Sequence, residues 1–135
     1  MTNKKLGNDF EQELCEKLSE YGFWCHNMAL NKSGQPADII AVKNKIAYLI
    51  DAKVVSSSRG FALSRVEENQ DLAMDLWNER GNGQGWFAFK IAKTNEIYVM
   101  PHFTIKALMA TQSTLSIIEI LQMGKTLEKW VAKCK

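Results

Sequence analysis

Gln35-Pro36-Ala37-Asp38-Ile39-Ile40-Ala41-Val42-Lys43-Asn44-Lys45-Ile46-Ala47-Tyr48-Leu49-Ile50-Asp51-Ala52-Lys53 reads as two apolar strands, 37–42 and 45–55, joined by a tight polar turn. Each strand carries an acid, Asp38 or Asp51, where a core strand would hold an aliphatic residue. With the hairpin loop at Lys43-Asn44, where Asn accepts the positive φ such loops need, Asp38 falls opposite Leu49. Side chains alternate along a strand, so Leu49, Asp51 and Lys53 share a face with Asp38. Asp38 and Asp51 are then diagonal neighbours, with Cβ atoms roughly 5–8 Å apart. Carboxylates that close repel one another unless a cation lies between them. Mg²⁺ is held this way, by one or two carboxylates with water and substrate phosphate. Lys53 points at the same spot, so the hairpin outlines metal-assisted phosphodiester chemistry.

The remaining chain supplies one domain around this hairpin. Its 135 residues fit a single domain over 1–135, and 46% hydrophobic with 24% charged residues is ordinary globular composition. No apolar run approaches the ~18 residues of a transmembrane helix. Met1-Thr2-Asn3-Lys4-Lys5 leads into polar helix rather than a signal peptide, so the expected location is cytoplasmic, in a host cell if the gene is phage-borne. Cys15, Cys25 and Cys134 share no CxxC spacing and are read as reduced, non-bridging thiols. The net charge of +2 is too small to point to nucleic acid. Its distribution is uneven: residues 30–66 hold Lys32, Lys43, Lys45, Lys53, Arg59 and Arg65 against Asp38 and Asp51. Residues 67–79 hold Glu67, Glu68, Asp71, Asp75 and Glu79 and no base.

Phe10, Leu14, Leu18 and Tyr21 predict an amphipathic helix over 8–21, capped by Asn8 and ended by Gly22, with Glu11 beside the apolar face. Residues 23–28 read as a first strand. Cys25-His26 has no second pair at zinc-ligand spacing, and neither His26 nor His102 is expected to bind metal. Asn31 to Gln35 is a loop, and Pro36 opens the next strand. Ser56-Ser57-Ser58-Arg59-Gly60 is a flexible polar loop whose hydroxyls and Arg59 suit phosphates, as do Lys32 and Arg65. Ser64-Arg65-Val66-Glu67 matches a capping box and predicts a helix from about residue 65, with Val66, Ala73, Leu76 and Trp77 inward. Gln70 falls in that stripe, where a lone amide needs a partner. Strands at 86–91 and 96–100 flank a turn at Lys93-Thr94-Asn95. Helices follow at 104–110, 117–123 and 127–133, the last two capped by Ser116 with Glu119 and by Thr126.

An acid on the first helix, then Asp38, about a dozen residues, then Asp51-Ala52-Lys53 resembles the PD-(D/E)XK nuclease superfamily. Gly7-x-x-Phe10-Glu11 with Leu14, Leu18 and Gly22-Phe23 resembles the opening helix of archaeal Holliday-junction resolvases. Asp51-Ala52-Lys53 followed by Phe61-x-Leu63-x-x-Val66-x-x-x-Gln70 looks like RecU-type resolvases of Gram-positive bacteria and their phages. The resemblance covers residues 7–100. It implies an α/β, restriction-endonuclease-like mixed sheet flanked by helices, in a homodimer that resolves four-way DNA junctions in recombination and repair. It implies Mg²⁺ or Mn²⁺ held by Glu11, Asp38, Asp51 and the Ala52 carbonyl, with Lys53 and Gln70 completing the catalytic set. Asp51 stands where relatives often have Glu, and Pro36 where RecU-type proteins tend to carry a hydroxyl residue. Two further readings stay open: a restriction-like or repair nuclease of the same superfamily, and a relative that binds DNA without cutting it.

Overall fold

The computed structural model describes residues 3–28 and 37–134, with the side chain of Asn3 left aside. The expected loop at 31–35, Pro36 and Lys32 lie outside the described residues. A mixed six-stranded sheet runs in the order β1 (Trp24–Asn27), β2 (Ile39–Lys43), β3 (Ile46–Val55), β5 (Trp86–Ile91), β6 (Ile97–Pro101), β8 (Lys125–Thr126). Its one parallel pairing among these, β3 with β5, is bridged by α2 (Glu68–Glu79), as a parallel crossover requires. Two short strands, β4 (Phe61–Ala62) and β7 (Thr114–Leu115), pair separately. The α/β class expected from the sequence is the class found.

The sheet separates two cores. On one face, α1 (Asn3–Glu20) buries Phe10, Leu14 and Leu18, and α5 (Leu127–Lys133) buries Leu127, Trp130 and Val131, against Ile50, Ala52 and Val54 of β3. On the other, α2, α3 (His102–Met109) and α4 (Ile117–Met123) place Met74, Ile105 and Ile120 over Leu49, Val55, Phe87 and Phe89. Asp51 is therefore a carboxyl in a row of buried apolar groups on the second face. Among the described residues no helix is long and apolar enough to cross a membrane.

Several expectations shift. Lys43 pairs with Ile46, so the turn residues are Asn44 and Lys45, with φ of 53° and 70°. A two-residue hairpin wants left-handed backbone at both positions and favours Asn at the first. The register thereby moves by two residues and keeps the same faces. The α1 helix begins at Asn3 rather than at 8, so Asn8 lies inside it and does not cap. Ser64 lies in a 3₁₀ turn, Leu63–Arg65, and α2 starts only at Glu68 behind an extended Glu67. The buried residues of α2 are Gln70 and Met74, while Leu76 is 49% exposed, so the predicted inward face is rotated. The two C-terminal helices lie at 117–123 and 127–133 with the caps read from sequence. Ser56–Gly60 forms a turn, not an open tract: Gly60 N–H donates to the Ser57 carbonyl at 3.1 Å. Gly60 has φ of 109°, and a Cβ there would lie 2.2 Å from the Leu115 carbonyl oxygen.

Candidate metal-dependent active site

Ile39 pairs with Ile50, so Asp38, immediately before β2, stands directly across from Asp51 rather than diagonal to it. The Ala52 N–H donates to Asp38 Oδ2 at 2.8 Å, which fixes one oxygen of that acid. Asp51 is fully buried, and its Oδ1 accepts from Gln70 Nε2 at 2.8 Å. Gln70 turns inward because its Oε1 also accepts from the Glu67 N–H at 3.4 Å, capping α2. One amide therefore both starts a helix and orients an acid. Glu11 comes from α1 and is buried. Asp38 acts on the carboxyls of both Glu11 and Asp51 and raises both, so the three acids form one cluster.

Lys53 is the cation of this cluster. Its Nζ lies 3.0 Å from Asp51 Oδ2 and is held by the Arg65 carbonyl at 3.2 Å and Gln70 Oε1 at 3.4 Å. The approach to Asp51 Oδ2 is an ion pair without hydrogen-bond alignment, and that oxygen and Glu11 Oε1 are buried with no hydrogen-bond partner. Burial, and then the neighbouring Asp38, push the Glu11 carboxyl up to about 8. Burial and Asp38 likewise raise Asp51 well above an ordinary carboxyl, with Lys53 opposing them.

Three clustered acids against one lysine leave buried anionic oxygens short of positive charge. Oxygen-only donors, two of them unpaired, suit a hard divalent cation such as Mg²⁺ or Mn²⁺. Protonation does the same job without metal, and this sets a pH dependence. A carboxyl whose folded pKa exceeds its unfolded one adds stability below the unfolded value, lost as pH rises through the folded value. In EDTA the melting temperature is expected to fall as pH rises from about 4.5 to about 8, through the Glu11 titration. Divalent cation should remove that fall, as calorimetry at both pH values would report.

The other candidate residues are dispersed. Ser57, Ser58 and Arg59 are exposed on the turn after β3. Arg65 is engaged: its Nη1 donates to the Val54 carbonyl at 3.1 Å and its guanidinium stacks 4.9 Å from the Phe61 ring centre. His26 is exposed and stacks on Trp24.

Sequence reading missed a second polar cluster. His102 Nε2 bonds Asp71 Oδ1 at 2.6 Å, and Lys106 Nζ reaches Asp71 at 3.1 Å and Asp75 at 2.6 Å. Ligand atoms of Asp71, Asp75 and His102 lie within 4.8 Å of one another. Burial opposes the charge on Asp71, but hydrogen bonds from His102 and Lys106 outweigh it and hold the carboxyl below its ordinary value. With Lys106 already bridging both acids, the cluster reads as a clamp between α2 and α3. The available signal was two i,i+4 pairs, Asp71/Asp75 and His102/Lys106, on successive helices.

Residues 2–133 match the model of the archaeal Holliday junction resolvase (Hjc) family. The fold is similar to the 1.6 Å structure of Archaeoglobus fulgidus Hjc, described as a Holliday junction resolvase from an archaeal hyperthermophile, with a TM-score of 0.67 and 16% identity. That alignment covers 94% of this chain and 96% of the other. No curated protein sequence matches the chain.

Proposed function

The chain belongs to the archaeal Holliday junction resolvase family and is a junction-resolving nuclease, and from that premise we propose that Glu11, Asp38, Asp51, Lys53 and Gln70 form its Mg²⁺- or Mn²⁺-dependent cutting centre. The observation that carries this is the convergence of acids from α1, the start of β2 and β3 beside Lys53, two of them buried with an unpartnered oxygen. Glu11, Asp38, Asp51 and the Ala52 carbonyl would hold the cation. Bound there, it would supply charge neutralisation on the phosphate and acidify a water.

The chain's own groups do the rest. Gln70 ties Asp51 Oδ1, and the Ala52 N–H ties Asp38 Oδ2, so each acid presents its other oxygen in a fixed direction. Lys53, pinned by the Arg65 carbonyl, sets a positive charge where the phosphate gains negative charge on attack. Ser57, Ser58 and Arg59, exposed beyond the end of β3, would contact backbone phosphates, and Lys32 is proposed with them. Such contacts position DNA without reading sequence.

A four-way junction has two-fold symmetry, so a C₂ dimer would present two sites for paired, symmetric nicks. The face we assign to the second copy is a groove lined by Ile40, Leu49, Ala73, Leu76, Trp77 and Arg80, with exposed Leu72 and Leu76 along its α2 rim. Trp77 Nε1 in this groove is buried without a partner. This face lies on the α2 that carries Gln70, which would set the two centres either side of the symmetry axis. Leu76→Glu is expected to shift the dimer to monomer in analytical ultracentrifugation and to uncouple paired nicks into single ones. A monomeric parent chain at micromolar concentration would refute the assignment.

Labelled four-way junction, linear duplex and single strand, each with Mg²⁺ or EDTA, test the reading. Symmetric nicks at the junction, only with metal, are expected. Equal cutting of linear duplex would favour a restriction-like or repair nuclease instead.

A further inference from the structure

Cys15 on α1 and Cys25 on β1 stand at the contact between those elements, and both line a groove open to solvent with Gln12, Glu16, Ser19 and Asn27. Their side chains hydrogen-bond one another, and Ser19 also bonds the Cys25 sulfur. Both thiols are free and partly exposed. Cys134 lies elsewhere, against Tyr48 and the Trp130 carbonyl.

We propose that Cys15 and Cys25 are a redox-modification site that closes reversibly to a disulfide and slows the nuclease when closed. Two thiols already in contact across a helix–strand junction meet the first requirement, since a disulfide demands close, facing side chains. Access for an oxidant comes from the open groove. The Cys25 hydrogen bond lowers the Cys15 pKa against the opposing effect of burial, which favours Cys15 as the attacking sulfur.

The oxidant class is a low-molecular-weight disulfide. Cys15 sulfur, having given up its proton, attacks one sulfur of the small disulfide and breaks its S–S bond, and the released half leaves as a thiol with that proton. Cys25 sulfur then loses its proton and attacks the Cys15 sulfur of the mixed disulfide. The second half leaves as a thiol, carrying the Cys25 proton. Two protein S–H groups are oxidised to one S–S bond, and one small disulfide is reduced to two thiols.

The link to cleavage is through α1. Cys15 is one helical turn beyond Glu11 on the same face, and it is near enough to contribute to the raised Glu11 pKa. A covalent bond shorter than the contact it replaces draws that turn of α1 toward β1 and displaces Glu11 from Asp38. A displacement on the order of 1 Å at a catalytic group can lower a rate about 100-fold. A loss of about tenfold is the expectation here. This link rests on the proposed role of Glu11; the disulfide itself does not.

The test treats the full chain with oxidised glutathione, counts thiols, maps the bond by mass spectrometry and assays junction cleavage before and after dithiothreitol. The wild-type chain, with three cysteines, should fall to one thiol by losing two to a Cys15–Cys25 bond. Its cleavage should drop about tenfold and return on reduction. Cys134→Ser should behave the same, and Cys15→Ser and Cys25→Ser should keep their cleavage rate under oxidation. Glutathione adducts without an internal bond, a bond to Cys134, or no thiol loss would overturn the site. A mapped Cys15–Cys25 bond with an unchanged rate would overturn the link to cleavage. A reduced chain inactive on junctions would instead count against the proposed function, with the thiol count still deciding the pair.

Discussion

Asp38→Asn should lower single-turnover junction cleavage about a thousandfold, roughly 4 kcal/mol of barrier, while junction binding in EDTA stays at the parent level. Asp38 is the acid whose charge acts on both others, so it is central to holding a cation between them. Asn preserves the shape and can still accept the Ala52 N–H through its amide oxygen. The variant should also be no less stable than the parent without metal. Asp38 is the second cause, after burial, of the raised Glu11 carboxyl. Removing it lets Glu11 ionise more readily, which flattens the fall in stability between about pH 4.5 and about pH 8. Lost binding with intact folding would mean that Asp38 belongs to a DNA-docking face and not to a cutting centre.

Lys53→Ala should be nearly as damaging to the rate and more damaging to the fold. Its ammonium is the cation beside the fully buried Asp51, at 3.0 Å. Removing a fixed charge from an electrostatic catalytic site lowers rates by about 10²–10³. Removing one partner of a buried pair costs about 3–5 kcal/mol when the other stays charged. Asp51 escapes part of that by taking a proton. Because loss of Lys53 raises the Asp51 carboxyl further, the folded state holds its proton more tightly. The missing stability should therefore grow as pH rises. Urea titration at pH 5 and pH 8 would show a small loss at the lower value and a larger one at the higher. An equal loss at both would mean that Lys53 acts through packing alone.

Legibility from sequence followed the range of the interactions. Asp38 and Asp51 stood out because an acid inside an apolar strand breaks a local pattern, and the shared face survived a two-residue error in register. The turn was misplaced because it depends on which Asn position the backbone prefers, not on hydrophobicity. Gln70 was noticed as an amide in an apolar stripe, and its capping of α2 is local, yet its hold on Asp51 joins residues 19 apart in sequence. The face of α2 was rotated in the reading because Ala73, Leu76 and Trp77 look like core residues whether they meet the sheet or line an open groove. The C-terminal helices were visible from their caps. Their part in the fold was not, since Lys125–Thr126 joins the sheet with only two residues and Trp130 reaches Phe23, Tyr48 and Trp86. The clamp of Asp71, Asp75, His102 and Lys106 and the pairing of Cys15 with Cys25 are purely tertiary.

Calorimetric titration of the metal-free chain with Mn²⁺ near pH 7, in two buffers of different ionisation enthalpy, tests the central claim directly. Glu11, with its carboxyl at about 8, carries a proton there that a bound cation must displace. Saturable binding with proton release is expected, lost in Asp38→Asn and retained when Asp75 is replaced by Asn. Binding that persists in Asp38→Asn, or that disappears with Asp75, would place the metal elsewhere and contradict the site.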